Sequence, residues 1–106
     1  VEKLDIFTFT DYRAFMKAFY DSKKKAPGSF SYRRFSKLAQ NASPNFVKLV
    51  VDGQRNLTVQ NIYLFAMAME LLPNEWQYFE AMVHFTQESM PEVMEFYQLR
   101  MRTLKP

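Results

Sequence analysis

The chain has 106 residues, 48% hydrophobic and 17% aromatic, with a net charge of +3. That is the size of one domain with enough apolar material for a core, which excludes a disordered segment. With no cysteine there is no disulfide, thiolate metal site or cysteine nucleophile, and two glycines leave no Gly-rich phosphate loop.

Residues 1–9 are expected to be extended or irregular, with Ile6, Phe7 and Phe9 tucked under the domain as an apolar strap. Thr10 reads as an N-cap, and Asp11 favours the dipole of a first helix from Asp11 to Lys25. Tyr12, Phe15, Ala18 and Phe19 form its buried stripe. The run Lys23-Lys24-Lys25 suits a helix C-terminus, and Pro27-Gly28 breaks the helix. Those lysines serve either as a solvated end or as phosphate contacts.

Residues 31–57 read as two short helices joined by a tight turn and followed by a basic loop. The first runs from Tyr32 to Gln40, with Phe35, Leu38 and Ala39 at the spacing of one buried face. The second runs from Pro44 to Val51, with Phe46, Leu49 and Val50 inward, Ser43 as N-cap and Pro44 at the first helical position. Asp52-Gly53 ends it, because Gly takes a left-handed conformation at low cost. Two helices only three or four residues apart cross steeply, as in a helix-turn-helix.

Thr58 caps a further helix to Leu71, in which Ile62, Phe65, Ala66 and Met69 keep helical spacing and the methionines fill core. Asn74 caps the next, to Glu88, with Trp76, Phe79, Met82 and Val83 inward. His84 is the only histidine, with no nearby Cys or paired acid, which points to a structural or exposed residue rather than a ligand. Ser89-Met90-Pro91-Glu92 has capping-box form and opens a last helix from Pro91 to Leu104. No alternating β-branched run or hairpin dipeptide occurs, so the expected fold is all-α, a bundle of five to six helices in one domain.

Charge is unevenly spread. Residues 1–57 hold eleven Lys/Arg and five Asp/Glu, a net of +6; residues 58–106 hold three and six, a net of −3. A positive field on one side of a small domain favours a polyanion there. No apolar run approaches the roughly 18 residues of a membrane span, and the N-terminus lacks a signal-peptide core. A cytoplasmic protein is expected, and the Asn56-Leu57-Thr58 sequon reads as coincidence. One His, no Cys and scattered acids offer no catalytic cluster, so neither an enzyme, a metal site nor a cofactor is expected.

Phe35-x-x-x-Ala39, Phe46-x-x-Leu49 and Gly53-Gln54-Arg55-Asn56-Leu57 together resemble the lambda-repressor/Cro-like helix-turn-helix fold. More narrowly, Asp11-Tyr12-Arg13-Ala14-Phe15, Phe30-Ser31-Tyr32-Arg33, Ser43-Pro44-Asn45-Phe46 and residues 52–57 look like the N-terminal module of a bacterial two-domain regulator family. The turn position usually held by Gly is Gln40, followed by Asn41 where the pattern has an apolar residue. Asn tolerates left-handed dihedrals, so a shifted turn is expected.

The resemblance implies binding to double-stranded DNA, with residues 44–51 in the major groove. Ser43, Asn45, Val47 and Lys48 are then the base-contact candidates: Asn45 for adenine, Lys48 for guanine or phosphate, Val47 for a thymine methyl. Tyr32, Arg33, Arg34 and Lys37, with Gln54, Arg55 and Asn56, are the phosphate-contact candidates. Ion pairs of Arg33 or Arg34 with Asp21 or Asp52, and an Asn56 that caps a helix or braces the loop, are the structural alternatives. Residues 91–105, with Met94, Phe96 and Tyr97, are the candidate homodimer interface. Packing on the first helix, or docking onto a C-terminal domain outside this chain, are its alternatives. The rival to DNA binding is a protein-interaction module on the same fold, using Phe96 and Tyr97.

Overall fold

A computed structural model describes residues 4–25, 28 and 30–106. Among them are six α-helices and no strand, so the all-α expectation holds. The expected break at Pro27 and residues 1–3 of the apolar strap lie outside the described residues. The rest of the strap forms one turn of 3-10 helix, Ile6–Thr8, capped by the Asp5 carboxylate, with Ile6 fully buried.

Helix α1 (Tyr12–Lys25) buries Tyr12, Phe15, Met16, Phe19 and Tyr20, a stripe at i, i+3, i+4, i+7 and i+8. Met16 and Tyr20 take the inward places, and Ala18 lies only half-buried at the margin. The cap is Asp11 rather than Thr10: its carboxylate accepts the Arg13 amide at 2.9 Å. Helix α2 (Tyr32–Leu38) starts at Ser31, whose hydroxyl accepts the Arg34 amide. It ends two residues before the expected Gln40, and Leu38 is exposed.

Helix α3 (Phe46–Val51) begins two residues later than expected. Ser43 is not its cap. Asn41 accepts the Ser43 amide at 2.9 Å, which organises the turn ahead of the helix. Seven residues, 39–45, thus separate α2 from α3 instead of three or four.

Helices α2 and α3 end in the same way. The amides of Gln40 and Asn41 close back on Lys37 and Ser36, and those of Gly53 and Gln54 on Val50 and Leu49. This closure needs a left-handed residue. Gly53 supplies φ +82, and Gln40 itself adopts φ 58, so the turn is not shifted onto Asn41. Helix α4 (Val59–Ala68) stops similarly, with Glu70 at φ 56.

Thr58 caps α4 as expected, in a reciprocal box with Asn61. Met69 is buried, but Met67 is exposed rather than core. Helix α5 (Pro73–Gln87) is capped at Leu72, whose amide donates to the Glu75 carboxylate at 2.7 Å; Asn74 is not the cap. Phe79, Met82 and Val83 are buried and Trp76 is half-buried.

Helix α6 (Pro91–Leu104) has the expected bounds. Its S-x-x-E box does not form, because Glu88 accepts the amides of Ser89 and Met90. It packs on α5, not on the first helix, through Met101 and a Tyr97 ring lying 4.8 Å from His84. Aromatic rings knit the other half: Phe19 meets Phe35 at 5.4 Å, Phe35 meets Phe65 at 5.7 Å, and Phe46 stacks on Phe65 at 6.0 Å. Such pairs add to the burial of rings this large. Among the described residues no helix is long and apolar enough to cross a membrane.

Candidate nucleic-acid interface

Helices α2 and α3 are joined by one buried hydroxyl. Ser36 is fully buried; it donates to the Pro44 carbonyl at 3.4 Å and accepts the Val47 amide at 3.3 Å. That bond draws the Val47 side of α3 inward. Val47 and Val50 are fully buried, while Phe46 and Leu49 are half-buried at the margins. The buried face is therefore turned about one residue from the expected Phe46, Leu49 and Val50. Val47 has no surface to offer a thymine methyl, and its place among the base contacts is corrected. Its methyls serve the core, where a buried valine is worth about 2 kcal/mol.

Ser43, Asn45 and Lys48 are exposed. The Asn45 side chain makes no capping bond, which leaves it to the surface. Lys48 donates to Asp52 at 3.0 Å, and this bond raises its pKa. Both partners are largely exposed, and an exposed i, i+4 pair is weak in water, so the ammonium is readily released to another anion.

The phosphate-contact candidates divide. Arg33, Arg34 and Lys37 on α2, and Gln54 and Arg55 in the loop, are exposed. The acids considered as partners for the two arginines are taken: Asp21 by Lys17 at 2.8 Å, Asp52 by Lys48. Among the described residues Arg33, Arg34, Lys37 and Arg55 have no ion pair. Tyr32 differs, being half-buried and stacked flat on Tyr20 with centroids 3.8 Å apart. Burial raises its hydroxyl pKa, and the nearby Lys17 opposes the shift. Asn56 braces the loop, its Oδ1 accepting from Arg13 at 2.9 Å.

Two residues given no role by the sequence hold this surface together. The Arg13 guanidinium, on α1, donates to the carbonyl of Val50 at the end of α3, to the carbonyl of Arg55 at 2.9 Å, and to Asn56. Its own helix offers no acid at i+4, where Lys17 stands, and that was the one sequence sign of a distant partner. Gln87, the last residue of α5, meets the far end of the loop. Its Oε1 accepts the Tyr12 hydroxyl at 2.6 Å and the Leu57 amide at 2.8 Å, and its Nε2 donates to the Leu57 carbonyl at 2.9 Å. A shallow cleft of about 420 Å³ lies between α1 and the loop, lined by Asp11, Arg13, Lys17, Asp52 and Gly53 among others. Its facing acids and bases give it no single charge preference.

The arrangement can present several exposed cations and one amide to an anionic surface. No family model, curated protein or solved structure matches this chain.

Proposed function

We propose that this chain is the DNA-binding domain of a bacterial transcription regulator, with α2 and α3 acting as a lambda-repressor/Cro-like helix-turn-helix. Helix α3 enters the major groove, where Asn45 reads adenine and Lys48 reads guanine, with Ser43 beside them. Arg33, Arg34, Lys37 and Arg55 bind the flanking phosphates and set register. The observation that carries this reading is that these four cations are exposed and lack acidic partners among the described residues, within the half of the chain that bears +6. Phosphate oxygens are the acceptors such a set suits.

A module with so few base contacts binds weakly alone, and pairing through α6 would supply a second half-site. Tyr97 is occupied by His84, so the face for it is Phe96 and Leu99, which are 60% and 58% exposed. The same exposure favours a second reading, a protein-interaction module, whose binding would resist salt. Substitution tests the first. Lys48→Ala should relax preference among duplex sequences, while Arg55→Ala should weaken all of them alike and lower the salt slope by about one. Equal losses on every sequence for both variants would refute the role of Lys48.

A further inference from the structure

The geometry points to Arg13 as a positioning residue that presets the 50–57 segment for phosphate, rather than as a phosphate ligand itself; the binding part of this inference rests on the DNA reading above. Three acceptors converge on one guanidinium: the Val50 carbonyl closing α3, the Arg55 carbonyl in the loop, and the Asn56 side chain. The guanidinium also lies 4.8 Å from the centre of the Tyr12 ring, which Gln87 holds by its hydroxyl. Arg13 is half-buried, whereas Arg55 beside it is exposed. The charge nearest the solvent is thus that of Arg55, and the role of Arg13 is to fix the backbone that carries it.

The planar fork matters as much as the charge. A guanidinium presents five N–H donors in fixed directions and can serve three acceptors on different segments at once. A lysine at the same site keeps the charge but has a compact ammonium that cannot span them. Arg13 therefore ties the end of α3 to the loop, and the two elements proposed to meet base and phosphate keep one relative placement. A loop held in its bound shape loses less entropy on binding.

The test compares wild type with Arg13→Lys, using a random-sequence duplex across a salt series and amide hydrogen exchange on the free protein. The reporters are the amides of Gly53, Gln54 and Arg55, bonded to the carbonyls of Val50 and Leu49. The expected result is about tenfold weaker duplex binding at an unchanged salt slope, with loop amides exchanging about tenfold faster while α5 amides keep their rates. Asn56→Ala is the second variant, at an exposed site, and removes one acceptor; a smaller shift of the same kind is expected. Arg13→Lys binding like wild type would overturn the proposal. So would a salt slope reduced by about one with the loop still protected, since that marks a direct phosphate contact. Equal acceleration in α5 would also overturn it, by showing a general loss of stability. If the wild type binds no duplex, the DNA reading fails, and the exchange rates alone decide whether Arg13 orders the loop.

Discussion

Replacing Gln87 with Leu leaves an apolar side chain one atom shorter and removes the clasp between α1, α5 and the loop. Three groups lose their partner: the Tyr12 hydroxyl, the Leu57 amide and the Leu57 carbonyl. Tyr12 is fully buried and Leu57 nearly so, which limits rescue by water. An orphaned buried polar group costs about 1–3 kcal/mol. Gln87 is itself half-buried, so the lower part of that range applies, and the sum is about 3 kcal/mol. A domain of this size has only about 5–15 kcal/mol in all, and the melting temperature should fall by roughly 12 °C or more. Urea unfolding followed by Trp76 fluorescence and by far-UV circular dichroism would measure it. Tyr12→Phe alone should cost about 1 kcal/mol, since one hydrogen bond is lost and no buried donor is orphaned. Made on top of Gln87→Leu it should instead recover about 1 kcal/mol, because it removes one of the three orphaned groups. The cycle should therefore leave a coupling of about 2 kcal/mol. Additivity within about 0.3 kcal/mol, or a cost below about 1 kcal/mol for Gln87→Leu, would show that Gln87 does not clasp Tyr12 and Leu57.

Four further outcomes are expected. Ser36→Ala strands the Val47 amide inside the α2–α3 contact and should cost about 1 kcal/mol by thermal unfolding, low in the range because both its bonds are long. Gln40→Gly relieves a left-handed φ of 58 worth about 1–2 kcal/mol, offset by the larger entropy of unfolded Gly, and should stabilise by about 0.5 kcal/mol. Gly53→Ala should destabilise by about 1 kcal/mol in the same assay; nothing lies within 4 Å of an added Cβ, so the cost is backbone strain alone. Burial pushes the Tyr12 hydroxyl up to about 12. The folded protein then holds a proton that the unfolded chain releases near pH 10, so this contribution is complete below about pH 10 and is lost as pH rises toward 12. Urea midpoints at about pH 9 and about pH 11 should fall less in Tyr12→Phe than in wild type.

The helices were legible because their signals are local. Apolar spacing over 12–20, the Thr58 cap and the Pro91 start each depend on residues within one or two turns. What the sequence hid was set by contacts across the chain. Ser36 looks like any polar helix residue until Pro44 and Val47 fold over it. That bond rotates α3, so spacing alone named Leu49 for the core and left Val47 on the surface. Arg13 and Gln87 act over sequence separations of 30 to 75 residues, beyond any pattern that periodicity reports. The exposed cations of the candidate interface were all visible in the sequence; the structure added that the nearby acids belong to Lys17 and Lys48.

Binding of duplex DNA by the basic face, through its phosphates, is the activity proposed for this domain. The most direct measurement is fluorescence anisotropy of a labelled random-sequence duplex titrated with folded protein at about 50 mM and about 200 mM salt. Phosphate contacts by Arg33, Arg34, Lys37 and Arg55 predict micromolar binding at the lower salt that weakens about a hundredfold at the higher. Binding that ignores salt, or no binding at the lower salt from a folded sample, would contradict it.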